Sequence, residues 1–179
     1  KALAAGGLSI LEVTLRTKAA LESIARIKAE VPGVICGAGT VNHAGFAKPL
    51  KQAGADFAVS PGYTKSLGDG LREAGIPLLP GIATASELMV CLDQGYSFFK
   101  FFPAEANGGV KALRALGGPF PEARFCPTGG ITTENLSDYL ALPSVMTAGG
   151  SWVAPKDAIA RGDWGQIEEL SARAVDLVG

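Results

Sequence analysis

The chain has 179 residues, 47 % of them hydrophobic, with 16 basic side chains against 17 acidic ones. That length suits one domain with a sizeable core. A near-neutral charge with no basic stripe or acidic run leaves no electrostatic footprint for nucleic acid or an anionic membrane surface.

The expected partners are therefore small molecules and copies of the chain itself. Cys36, Cys91 and Cys126 are odd in number and widely spaced, which argues against a disulfide framework or a structural zinc and favours a reducing cytoplasm. No apolar run reaches the roughly 18 residues of a membrane span.

The opening "KALAAGG" reads as the last turns of a helix and its glycine stop. Short apolar or β-branched runs then recur. They are "LSILEVTLR" from Leu8, "VICGAGT" from Val34, "DFAVSPG" from Asp56, "IPLLPGI" from Ile76, "SFFKFFP" from Ser97, "ARFCPTGG" from Ala123 and "SVMTAGG" from Ser144. Between them lie amphipathic patterns such as Leu21, Ile24, Ile27 and Val31, which share one helix face. After Ile82, Thr84 and Glu87 have capping-box spacing. Seven strand–helix units at a near-constant period predict a parallel sheet covered by helices.

Almost every run ends in small or turn-forming residues, so the strand ends look built to approach something. In a doubly wound sheet ligands gather at one crevice, whereas in a barrel all the C-terminal strand ends ring the site. The expected fold class is α/β, a (βα)8 TIM barrel forming a single domain over residues 1–179. Seven runs leave it one strand short, and the opening helix and first strand are expected upstream of Lys1.

Alternation along a strand puts Phe98, Lys100 and Phe102 on one face and Phe99 and Phe101 on the other. A lone lysine among four phenylalanines is either structural, snorkelling or paired with a buried carboxylate, or a nucleophile. Desolvation favours the neutral form of an amine, which can attack a ketone to form a Schiff base. In "SILEVTLR" the residues Ile10, Glu12, Thr14 and Arg16 share a face opposite Leu11, Val13 and Leu15. Glu12 and Arg16 are either a self-neutralising pair or, with an inward lysine, a proton-shuttling carboxylate and a cation for an anionic substrate. Both are expected to reach toward Lys100.

Gly129-Gly130 and Gly149-Gly150-Ser151 are turn signals taken singly. Together they offer backbone N–H groups and a hydroxyl to a phosphate. Thr40 and Pro61 are weaker signals at other strand ends. His43, the single histidine, reads as a surface residue.

In order and spacing, "EVTLRT", "GAGTV", "SPG", "PGI", "FKFFPAEANGG", "FCPTGGI" and "GGSW" resemble the 2-keto-3-deoxy-6-phosphogluconate (KDPG) aldolase family of class I aldolases. The resemblance covers essentially the whole chain. It implies a (βα)8 barrel, a homotrimer, and a lysine Schiff base with no metal or organic cofactor. Carried over motif by motif, Lys100 is the Schiff-base residue and Glu12 the proton shuttle. Arg16 and Thr40 hold the pyruvate carboxylate, Pro61 shapes the pocket, and Gly129, Gly130, Gly150 and Ser151 hold the phosphate, with Gly149 beside them as a substrate-binding position. Phe102 and Thr128, within the same motifs, count among the substrate-contacting positions. The expected reaction is cleavage of KDPG to pyruvate and glyceraldehyde 3-phosphate, with a side activity on 4-hydroxy-2-oxoglutarate. Two alternatives stand beside it. One is a phosphate-binding barrel isomerase or synthase that uses Lys and Glu only as acid and base; the other is a non-catalytic binding module.

Overall fold

The computed structural model describes residues 1–178. They form two compact units: Ile10–Lys100, and Lys1–Ser9 together with the chain from Phe101 onward.

In the unit Ile10–Lys100, strands β1 (Ile10–Thr14), β2 (Ile35–Gly39), β3 (Ala58–Val59) and β4 (Leu78–Leu79) lie side by side in sequence order, and all three pairings are parallel. Helices α2 (Ala20–Glu30), α3 (Ala47–Ala53) and α4 (Lys65–Glu73) connect them. Parallel neighbours require crossovers of this kind. Ile24, Leu50, Leu67 and Leu71 are buried on those helices, at the spacing that gives each helix one apolar face.

The run expected as one strand from Ile76 divides at Pro80 into β4 and β5 (Gly81–Ile82). Proline has no N–H to give to a ladder, but its carbonyl still accepts. Leu79 O receives Ser60 N–H at 3.2 Å, and Pro80 O receives Lys100 N–H at 2.9 Å. The backbone thus passes from one neighbour to the next at Pro80. Helix α5 (Ala85–Asp93) follows with the expected capping box: Thr84 Oγ1 accepts from Glu87 N–H, and Glu87 Oε2 accepts from Thr84 N–H.

Strand β6 (Phe98–Phe101) straddles the division, with Lys100 closing one unit and Phe101 opening the other part of the second. In that second unit β7 (Arg124–Pro127) runs beside Phe101, whose carbonyl accepts from Thr128 N–H at 3.0 Å. The four-residue helix α1 (Ala2–Ala5) ends at Gly6-Gly7, as the opening sequence implies, and packs on α9 (Trp164–Asp176). A Cβ on Gly6 would strike the backbone of α9, so the contact depends on the missing side chain.

The run from Ser144 is not a strand. It makes two isolated parallel bridges, Phe125↔Val145 and Thr128↔Gly149. Three residue steps on one side face four on the other, a one-residue bulge that breaks the register. Pro127, inside that interval, has no N–H to bridge the gap. The remaining helices of this unit are α6 (Gly109–Gly117), α7 (Leu136–Leu140) and α8 (Lys156–Arg161).

Candidate active site

Lys100 is 7 % exposed in β6, between Phe99 and Phe101, which are fully buried. Each of those rings stabilises the fold by about 1.5–3 kcal/mol relative to exposure, so the strand holding the amine is firmly seated. Lys100 Nζ stands 3.8 Å from Glu12 Oε1, with 9 % of the lysine side chain and 31 % of the glutamate side chain exposed. The separation exceeds a hydrogen bond and lies within ion-pair range.

Strand β1 delivers Glu12 by the alternation expected of it. Ile10, Glu12 and Thr14 are exposed, and Leu11 and Val13 half-buried. Glu12 then crosses the backbone of β2. It lies in register with Gly37, and its side chain covers Gly39, where a Cβ would fall 2.6 Å from its Cδ. The "GAG" of β2 therefore serves close approach. Gly39 has no left-handed φ, so it is the absent side chain that matters there.

Arg16 lies two residues beyond β1. Its Nε donates to Thr40 Oγ1 at 3.4 Å, which joins the two residues assigned to a carboxylate. Thr40 holds φ +61°, a region that β-branched residues rarely enter and that clusters at functional positions. Pro61 is exposed, and its backbone lies where a Cβ on Gly81 would fall. His43 is exposed and stacks on Phe46 at 4.2 Å between ring centroids.

The thiols in this unit are poor competitors as nucleophiles. Burial first, and then Glu87, push Cys91 up to about 11, and burial with Asp56 raises Cys36. Both stay as neutral thiols near pH 7. Among the described residues no group of three or more His, Cys, Asp or Glu is placed to hold a metal ion.

In the other unit, Gly129 and Gly130 turn through φ of +97° and +81°. The Phe102 ring lies beside Gly129, where a Cβ would come within 3.3 Å, and Thr128 Oγ1 would come within 2.7 Å of a Cβ on Gly149. Gly150 passes close to the Trp152 indole, and Ser151 is exposed. Among the described residues the N–H groups of Gly129, Gly130, Gly150 and Ser151 donate to no protein acceptor. Open N–H groups in consecutive turns form an anion-binding concavity. Sequence reasoning missed Glu105 and Asn135, which touch Gly130, and Tyr139, which binds Glu105; their separation in the chain, 34 residues from Glu105 to Tyr139, left no local signal.

A buried amine beside a carboxylate, on parallel strands whose ends carry an arginine–hydroxyl pair, is the constellation of a Schiff-base enzyme. Residues 1–170 match the family described as KDPG and KHG aldolase. The chain is 58 % identical over 175 residues to the 2-dehydro-3-deoxy-phosphogluconate aldolase of Pseudoalteromonas atlantica, spanning 98 % of this chain and 81 % of that one. It is 55 % identical over 176 residues to the KHG/KDPG aldolase of Escherichia coli, spanning 98 % and 83 %. Among solved structures, the KDPG aldolase of Legionella pneumophila, with pyruvate captured as a covalent carbinolamine intermediate, superposes with a TM-score of 0.93. Its identity is 47 %, over 97 % of this chain and 84 % of that one. The chain belongs to the KDPG and KHG aldolase family, and its fold class is the TIM-barrel-like α/β fold of those enzymes. It is a carbon–carbon lyase of the class I, Schiff-base type.

Proposed function

We propose that this enzyme cleaves 2-keto-3-deoxy-6-phosphogluconate reversibly to pyruvate and glyceraldehyde 3-phosphate, with 4-hydroxy-2-oxoglutarate as a second substrate. The observation that carries the reading is the 3.8 Å approach of the buried Lys100 amine to Glu12. Neutral Lys100 attacks the C2 ketone, and loss of water leaves an iminium. Glu12 takes the proton of the C4 hydroxyl; the electrons of the C3–C4 bond move into the iminium, releasing the aldehyde and leaving an enamine. Glu12 returns the proton to C3, and hydrolysis frees pyruvate and the lysine. The iminium formed on the lysine thus serves as the electron sink.

Arg16 and Thr40 receive the carboxylate of the keto acid, Pro61 shapes the pocket, and Phe102 counts among the substrate-contacting residues. Thr128, Gly129, Gly130, Gly149, Gly150 and Ser151 receive the phosphate; the unclaimed N–H groups of Gly129, Gly130, Gly150 and Ser151 support that assignment. Residues 1–179 act as one catalytic domain, in a cytoplasmic homotrimer.

Borohydride reduction in the presence of pyruvate tests the reading. The added mass must map to the peptide containing Lys100, and Lys100→Ala must abolish it. Reduction that leaves both mass and activity unchanged rules out the imine and favours a barrel enzyme using these residues only as acid and base.

A further inference from the structure

Glu105 places a carboxylate beside the glycine turn assigned to phosphate, where a free negative charge would oppose an anion. Its Cβ and Cγ lie over Gly130, 2.7 and 2.6 Å from where a Cβ would stand, and its N–H donates to Gly129 O at 3.1 Å. Its carboxylate accepts a very short hydrogen bond from the hydroxyl of Tyr139, a fully buried residue of α7. One turn earlier, Asn135 caps the same helix and grips the turn itself. Its Nδ2 donates to Gly130 O at 2.9 Å, and its Oδ1 accepts from Thr132 N–H at 2.9 Å.

Both carbonyls of the Gly129-Gly130 turn are therefore engaged on the protein side, while its N–H groups have no acceptor among the described residues. Burial, followed by the hydrogen bond and charge of Glu105, holds the Tyr139 phenol well above its ordinary range. It remains a donor at any working pH.

We propose that Tyr139 and Asn135 are positioning residues for phosphate recognition. Tyr139 ties back the Glu105 carboxylate so that it cannot occupy the glycine N–H groups, and Asn135 fixes the turn with those N–H groups open. The inference rests on the reading of the Gly129-Gly130 turn as the phosphate site. Loss of the tether converts Glu105 into an internal competitor, since a carboxylate accepts from backbone N–H groups as a phosphate does. Ordinary packing has no such consequence.

The test uses the full chain and the variants Tyr139→Phe, Asn135→Ala and Tyr139→Phe with Glu105→Gln, each checked by thermal melting. Activity is measured on KDPG and on unphosphorylated 4-hydroxy-2-oxoglutarate. Deuterium exchange at the pyruvate methyl supplies a readout that needs no phosphate. Losing a hydrogen bond to a charged group predicts a rise of about tenfold in KM for KDPG in Tyr139→Phe, and losing the neutral bonds to the Gly130 carbonyl and from the Thr132 N–H predicts a rise of about threefold to tenfold in Asn135→Ala. The kcat, the KM for the unphosphorylated substrate and the deuterium exchange should all stay within about twofold, a margin of under half a kcal/mol. Adding Glu105→Gln to Tyr139→Phe should restore most of the KM. Equal changes in both substrates, or no rescue by Glu105→Gln, overturn the inference. A wild-type enzyme that forms no imine, or that handles both substrates alike, overturns instead the function on which it rests.

Discussion

Replacing Gly39 by alanine tests whether Glu12 must lie where it does. A Cβ at residue 39 would stand 2.6 Å from Glu12 Cδ and 2.9 Å from Cγ, and overlap Oε1. Ordinary carbon contacts lie at about 3.5–4.0 Å, so one group must give way. The backbone of Gly39 is outside the left-handed region and accepts alanine, whereas Glu12 has a side chain 31 % exposed that can swing into solvent. Gly39 is buried, but the group displaced is the end of a flexible side chain rather than backbone or a ring, so stability should fall by about 1 kcal/mol or less. Turnover should fall by about 10²–10⁴, the range lost with a general acid–base.

Gly37 supplies the control on the same strand. A Cβ there would overlap the Phe57 ring, so Gly37→Ala should cost about 1–3 kcal/mol of overpacking while activity per folded molecule persists. Melting curves, the rate of pyruvate release and borohydride trapping of Lys100 separate the two. A Gly39→Ala enzyme with wild-type turnover would refute the placement of Glu12 as the shuttle.

Glu12→Gln should lower turnover by about 10²–10⁴ while pyruvate still becomes trapped on Lys100; unchanged turnover removes the shuttle role. Gly130→Val, at φ +81° and against Glu105, should raise KM for the phosphorylated substrate far more than for an unphosphorylated one, and equal effects place the phosphate elsewhere. For Asp56, burial pushes the carboxyl up, but hydrogen bonds from Lys28 and the Cys36 N–H outweigh it and hold it below its ordinary 3.8. A carboxyl depressed in the folded state stabilises above its unfolded value and loses that contribution as pH falls through the folded one. Wild type should thus lose more stability below pH 3.8 than Asp56→Asn, and coincident acid limbs in chemical denaturation would contradict this.

The strand runs, the Thr84–Glu87 cap and the pairing of Lys100 with Glu12 were legible because each depends on local chemistry: alternation, side-chain reach, and the cost of burying an amine. Pairing across the chain was harder to read. Splitting at Pro80 and the bulge opposite Pro127 follow from which neighbours a proline faces, and residue order alone does not state that. Arg16 shares the Glu12 face in the sequence and stays exposed two residues past β1, but its bond to Thr40 joins positions 24 residues apart, which residue order alone does not state. Glu105 and Tyr139 are unremarkable letters until the fold sets them together beside the Gly129-Gly130 turn that Glu105 covers.

Thr40 has a consequence for how this chain tolerates change. Holding a threonine in the left-handed region costs about 1–3 kcal/mol, which a glycine would recover at the loss of the hydroxyl that Arg16 reaches. Selection for thermal endurance and selection for catalytic throughput therefore prefer different residues at this one position. A library screened only for survival on heating should drift to glycine there, and one screened by growth on the substrate should keep threonine.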